Sequence, residues 1–143
     1  MIEIVPMTSA DVAEARVLWA RTEGIALQDA DSPEALTGYL QRNPGCSFVA
    51  RDGKQLAGVA LAGHDGRRGY LHHVAVAPAF RKQGIGRDLV ERCLSALREQ
   101  GILKCHLFVL NDNVEGMKFW ASLGWRQRDL LMMSLTLSHL ETA

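Results

Sequence analysis

The sequence predicts a mixed α/β fold with the element order β-α-α-β-β-β-α-β-α-β, a sheet with helices packed on it. Three observations predict it. The strand-like runs CSFVA, QLAGVALAG and YLHHVAV follow one another with only the short turns RDGK and GHDGRRG between them, so hairpins link them. Two helical patterns precede these runs. After them strand and helix patterns alternate, as crossover connections require.

The first strand is IEIV, which alternates and ends at Pro6. Thr8 stands three residues before Asp11, the spacing of a capping box, and Val12, Ala15, Leu18 and Trp19 share a helical face. A polar stretch, TEGIALQDADSP, leads to the second helix, which Ser32-Pro33 starts and Asn43-Pro44-Gly45 ends. The third helix, from Gly86 to about Gln100, places Leu89, Val90, Cys93, Leu94 and Leu97 on one face and stops at Gly101. ILKCHLFVL then reads as a strand, residues 114–123 as a short helix ending at Gly124, and LLMMSLTL as a last strand. With 143 residues and no repeat or low-complexity segment, the expectation is a single domain over residues 1–143.

Composition narrows the function classes. Hydrophobic content of 48% and charged content of 22% are those of an ordinary soluble globular protein. No apolar run approaches the ~20 residues that cross a bilayer, and MIEIVPMT lacks the pattern of a signal peptide, so no membrane partner is expected. A formal net charge of zero argues against a general nucleic-acid binder. Charge is unevenly placed, however. Residues 1–50 hold three Arg against seven acids, a balance of −4, and the remainder balances at +4. Such asymmetry suits two ligands of opposite charge, although solvated faces also vary in this way. Cysteines 46, 93 and 105 show no C-x-x-C spacing; Cys93 and Cys105 read as small core residues, no metal is expected, and a reducing cytoplasm is the simplest location.

The segment APAFRKQGIGRDLVERCLSAL carries the most chemistry. A P-loop needs Gly, four residues and Gly-Lys-Ser/Thr, which is absent. A dinucleotide fingerprint finds its first two glycines at Gly84 and Gly86 but Leu89 at the third position. Helix physics gives a third reading. The first turn of a helix presents amide N–H groups without internal partners, and the helix dipole adds positive charge there. Gly84 and Gly86 let a pyrophosphate approach the backbone, and Arg81, Lys82 and Arg87 add mobile cations. The bland alternative is a glycine turn capping a surface helix.

The strand HVAVAP followed by R-x-x-G-x-G, residues 81–86, resembles the acetyl-CoA motif of the GCN5-related N-acetyltransferases (GNATs). N-V-E-G-M-K-F-W-A-S-L-G-W, residues 113–125, is similar to the family's later Asn, helix and Gly-aromatic pattern, and the element order agrees, so the resemblance covers essentially the whole chain. GHDGRRGY is similar to bacterial members of the YpeA type. The resemblance implies a GNAT fold and an acetyl-CoA-dependent N-acetyltransferase in which an amine attacks the thioester directly. It implies that the amides of Gln83, Gly84, Ile85, Gly86 and Arg87 hold the pyrophosphate. Val74 and Val76 would pair with pantetheine as with an added strand, where two strands splay apart. Asn113 would bond the cofactor, and Phe119 and Trp120 would pack at its thiol end.

The implied chemistry needs a base, an oxyanion donor and an acid. A backbone N–H near Val74, Ala75 and Val76 is the expected donor. Many relatives use Tyr as the acid where this chain has Trp120, whose indole N–H donates a hydrogen bond but gives up no proton. Either the thiolate leaves unassisted, or another group acts; Tyr39 and Tyr70 are the remaining tyrosines, and Tyr70 starts the cofactor strand. For the base, period-two alternation places Tyr70, His72, Val74 and Val76 on one face and Leu71, His73 and Ala75 on the other. His72 is favoured over His73 as proton acceptor, while His64, His106 and His139 read as surface or loop residues. Glu23, Asp29, Asp31 and Glu34 cluster between the first helices, where they would draw a cationic small-molecule or peptide amine. Two rival readings stand beside this one: a silent CoA- or acyl-CoA-binding regulator, and a nucleotide-binding module. The apolar tail could add a strand across a homodimer interface.

Overall fold

The computed structural model describes residues 1–138. Five strands form one mixed sheet in the order β1-β2-β3-β4-β5: β1 (Ile2–Pro6), β2 (Phe48–Asp52), β3 (Gln55–His64), β4 (Gly69–Val76) and β5 (Cys105–His106). The first four run antiparallel to their neighbours, and β5 runs parallel to β4. Four helices, α1 (Val12–Ala20), α2 (Pro33–Arg42), α3 (Ile85–Glu99) and α4 (Val114–Ser122), cover the two faces.

Local chemistry sets most element ends as the sequence predicts. Thr8 and Asp11 close the capping box, each accepting the other's backbone N–H or that of its turn. Ser32 caps α2 by accepting from the Ala35 amide, with Pro33 in the first turn. Gly53, at φ 61, makes the β2–β3 turn.

Two apolar layers flank the sheet. On one face Leu71 of β4 and Ala60 and Ala62 of β3 meet the α3 stripe Ile85, Leu89, Val90, Cys93 and Leu97. Helix α3 can come this close because Gly58 has no Cβ; one placed there would sit 3.0 Å from the Ala75 carbonyl and 3.1 Å from Leu89. On the other face Val59, Leu61 and Ala75 meet Val12, Ala15 and Trp19 of α1 and Leu36 of α2.

Two predicted strands are corrected. Of ILKCHLFVL only Cys105 and His106 pair, because the chain leaves the sheet after His106 and β4 loses its neighbour on that side. LLMMSLTL forms no strand; residues 126–138 have no regular secondary structure and are exposed. Alternation reports that a segment can be a strand, not that a partner edge lies within reach.

A β-bulge breaks the alternation of β4. Val59 opposes Ala75 whereas Leu61 opposes His72, so β4 spends one extra residue, and His73 takes the left-handed conformation at φ 51. The predicted parity is therefore wrong beyond His72. His73 turns to the α1–α2 face alongside His72, and Val74 and Val76 turn to the α3 face.

Candidate active site

The cleft opens where β4 and β5 part. Their pairing ends at Tyr70 and His106, so on that side the β4 edge from Leu71 onward has no strand beside it among the described residues. The Ala77 amide donates to the Ala57 carbonyl of β3 at 2.8 Å. By alternation Val74 and Val76 present their N–H and C=O groups to the open edge. Leu71, His72, His73 and Val74 form one wall, Leu107, Phe108 and Val109 the other, and Gly24, Ile25, Asn113 and Trp120 close the ends. This is a backbone edge of the kind that accepts an extended ligand as an extra strand.

Past Val76 the chain makes a 3-10 turn, Pro78–Phe80, and then reaches the glycine turn. Lys82 (φ 64) and Gly84 (φ 81) are both left-handed, which strains the lysine and suits the glycine. Gly84 is the N-cap of α3, and no side chain caps that end. The first-turn amides of α3 therefore keep their donors for a ligand, in a setting that fits an anion. Lys82, Gln83 and Arg87 are exposed around it. Arg81 departs from the expected mobile cation, because its Nε donates to the Val76 carbonyl at 3.0 Å and ties the turn to the open edge. A Cβ on Gly86 would stand 3.3 Å from the Phe119 ring and 3.6 Å from Val76, so Phe119 lies beneath the turn rather than in the cleft wall. Trp120 does line the cleft, edge-on to Phe119 and Trp125.

Asn113 sits at the cleft mouth with its oxygen already engaged. Its Oδ1 accepts the Gly116 amide at 2.9 Å as the N-cap of α4, which leaves the Nδ2 group as the donor for a ligand. That group also abuts Gly24 of the α1–α2 loop, where a Cβ would be 2.7 Å away.

The two histidines differ in their surroundings. His72 is largely buried between Tyr39, Tyr70 and Phe108, with ring centroids 6.1–6.4 Å away. Neither ring nitrogen has a hydrogen-bond partner among the described residues, yet neither is sealed from solvent. Burial first, and the adjacent His73 second, hold this imidazole below its ordinary pKa, with Asp31 opposing them in part. His72 is thus neutral at neutral pH, with a lone pair available.

His73 is held on three sides. Its Nε2 lies 2.9 Å from Asp31 Oδ1, and an ionised carboxylate only accepts, so Nε2 carries the hydrogen. The Trp19 indole N–H donates to the His73 carbonyl at 2.6 Å, and the two rings stand 5.1 Å apart. Asp31 is only 7% exposed, and its second oxygen accepts the Gln28 amide. This corrects the grouping of Asp31 with Glu23 and Asp29 as a solvent-facing acidic lure: Glu23 and Asp29 are exposed, but Asp31 points inward and is spent on His73.

The remaining expectations sort by position. Tyr70 stacks on His72 and Phe108 without lining the cleft. Burial raises the Tyr39 phenol far above its ordinary value, so it holds its proton firmly. His64 shares a hydrogen bond with Gln100 Oε1 at the surface, His106 packs near Tyr70 on β5, and His139 lies outside the described residues. All three cysteines are free; burial pushes Cys93 up to about 12 and Cys105 up to about 11, and raises Cys46, so none is an ionised nucleophile. Sequence reasoning missed the bulge and the contacts it creates. The His-His doublet inside an otherwise apolar strand was the only signal, and two adjacent polar residues do not say which way either turns.

A sheet that splays beside an uncapped, glycine-led helix sets an open backbone edge next to an anion site. The chain matches the model of the acetyltransferase (GNAT) family over residues 12–125 and belongs to that family. An acetyltransferase of Pectobacterium atrosepticum is 29% identical over 117 residues, covering 81% of this chain and 82% of its own. One from Sodalis glossinidius is 27% identical over 124 residues, 86% of either chain. Among solved structures, the aminoglycoside N-acetyltransferase AAC(6')-Iy with a CoA bisubstrate analogue has a TM-score of 0.76 at 18% identity, over 96% of this chain and 99% of that one. The PaiA N-acetyltransferase of Thermoplasma acidophilum with coenzyme A also gives 0.76, at 21% identity, over 91% and 92%. At these identities the structures establish the fold.

Proposed function

We propose that the chain is an acetyl-CoA-dependent N-acetyltransferase acting on a primary amine of a small molecule or peptide. One observation carries the reading: the open edge of β4 leads, through the Pro78–Phe80 turn and the glycine turn, to the uncapped N-terminus of α3. That arrangement offers strand-like hydrogen bonds to pantetheine and helix amides to pyrophosphate in a single line. The similar folds that carry CoA or a CoA conjugate in their solved structures support it.

Acetyl-CoA supplies an activated acyl group and a thiol leaving group with a pKa near ~8.5. The amides of residues 83–87, with Lys82 and Arg87, hold the anionic end. Val74 and Val76 would supply the open-edge backbone that orients the carbonyl, Ala75 being turned to β3 instead, and Asn113 Nδ2 would hold the thiol end beside Trp120. His72 takes the proton of the acceptor ammonium, because its depressed pKa keeps it neutral and its nitrogens are free. The acceptor enters past Gly24 and Ile25, below the exposed carboxylates Glu23 and Asp29. No side chain of the cleft is placed to act as a strong general acid, so departure of the thiolate rests on its own modest basicity.

Calorimetric titration with acetyl-CoA, with dephospho-CoA and NAD as comparators, tests this on the native chain and on Gly84→Glu. A Cβ at Gly84 meets open space, but its left-handed φ of 81 strains any side chain there, so Gly84→Ala runs beside Gly84→Glu to separate backbone strain from the added carboxylate. Tight acetyl-CoA binding, weak NAD binding and a loss in Gly84→Glu beyond that in Gly84→Ala support the reading. Equal binding of NAD would return it to a nucleotide module. Binding without turnover of any amine would favour the silent acyl-CoA-binding alternative that Trp120 suggests.

A further inference from the structure

His72 stands among aromatic rings drawn from three parts of the fold. The planes of His72, Tyr70 and Phe108 lie within 10–24° of one another, at centroid separations of 6.3–6.4 Å. Tyr39 of α2 meets His72 edge-on at 6.1 Å. Near-parallel rings at this separation overlap little, and Phe108, on the cleft wall, is 58% exposed. Ile25 and Trp120 continue the apolar lining. An exposed aromatic face on the wall of a cleft is the kind of surface that small-molecule sites use for contact.

The polar side chains nearby are committed elsewhere. Asp31 accepts from His73 and from the Gln28 amide, and Asn113 Oδ1 accepts the Gly116 amide. Glu23 and Asp29 are exposed in the α1–α2 loop and remain free to attract a cation. An acceptor rich in hydroxyl or ammonium groups would lose water against these rings and find few partners in return.

We propose that the acceptor is an arylalkylamine, whose amine meets His72 while its aromatic ring lies on Phe108, with Tyr70 behind. The inference rests on the acetyltransferase reading and narrows its acceptor. The Phe108 and His72 centroids are 6.4 Å apart, so amine and ring are separated by a short spacer, about two carbons at ~1.5 Å per bond. The ammonium form is also drawn to the ring faces before it gives up its proton.

Calorimetric titration of amines into the CoA-saturated protein tests this without turnover. Phenethylamine should bind about tenfold more tightly than hexylamine, an aliphatic amine of similar bulk, and more tightly than spermidine. The same order should appear in kcat/KM with acetyl-CoA. Phe108→Leu should erase the preference, and Phe108→Tyr should keep it; both changes fall on an exposed side chain. Equal affinity for phenethylamine and hexylamine overturns the proposal. So do tighter binding of spermidine, no binding of any of the three, or a preference that survives Phe108→Leu. These results leave the acetyltransferase reading standing wherever acetyl-CoA binds; if acetyl-CoA does not bind, both fall.

Discussion

Removing the Asp31 carboxylate should cost the chain more than its place in the loop between α1 and α2 suggests, because the residue is buried there. Asp31→Ala deletes two charge-assisted hydrogen bonds, from His73 Nε2 and from the Gln28 amide. Such bonds contribute about 1.5–3 kcal/mol each where the donor stays buried. Gln28 is exposed and its amide regains water, so the loss falls mainly on His73, whose side chain is 20% exposed. The expected destabilisation is therefore about 1.5–3 kcal/mol, or roughly 5–10 °C in Tm for a chain of this size. A double-mutant cycle with His73→Ala isolates the pair and should give a coupling of about 1–2 kcal/mol by thermal or urea unfolding. Kinetics separate two roles for the carboxylate. If it holds His73 and the bulge, His73→Ala reproduces the acceptor KM and kcat of Asp31→Ala. If it attracts the acceptor by charge, Asp31→Asn raises KM while His73→Ala does not. A coupling below about 0.5 kcal/mol, with the acceptor KM moved only by Asp31, would refute the inward-facing assignment.

Three further outcomes follow from the same geometry. The His72 pKa is depressed from 6.5 in the folded chain, so the unfolded chain binds its proton more readily; stability from this group is intact above about pH 6.5 and is lost as the pH falls through the folded value. Correspondingly, kcat should fall below an apparent pKa under 6.5, and His72→Phe, which keeps the ring stack but no ring nitrogen, should lack that limb and lose about 10²–10⁴-fold in rate. Gly116→Ala would drive a Cβ into the Asn113 amide and displace the N-cap of α4, costing about 1 kcal/mol in a thermal melt and weakening acetyl-CoA binding together. At pH 7.5 a thiol reagent should label the native chain slowly, with Cys105 faster than Cys46 and Cys93, and unfolding should expose all three.

Much of this was legible in the sequence because its signals are local. Thr8 with Asp11, Ser32 with Pro33 and the RDGK turn each fix backbone geometry within four residues, and each holds in the structure. The glycine turn is local too: Gly84 must be left-handed for α3 to begin where it does. What failed was non-local. Residues 102–110 read as a strand in the sequence, but the chain leaves the sheet after His106 while β4 stays paired to β3 as far as Val76. The tail fails for the same reason, since a strand pattern carries no information about which edge will receive it.

The bulge is the instructive case, because one extra residue changes what the site is. Unbulged, β4 would put His72 and Val74 on one face, and His73 would face the α3 core. With the bulge, both histidines turn to the α1–α2 side, where the acidic loop lies, while Val74 and Val76 turn their side chains into the α3 layer. The strand is thereby divided in function along its length. Its first half offers side chains to one side of the sheet, and its second half offers only backbone to the open edge. Trp19 and Asp31 stabilise the residue that makes the division, through its carbonyl and its ring. That accounts for an aromatic in α1 and a carboxylate in the following loop being directed at one strained residue. Trp19→Phe, which keeps the packing and removes the N–H, should leave the His73 carbonyl without its partner. A loss of about 1–2 kcal/mol with a rise in acetyl-CoA Kd is the expected result, and unchanged affinity would mean that the edge holds its shape without the bulge being pinned.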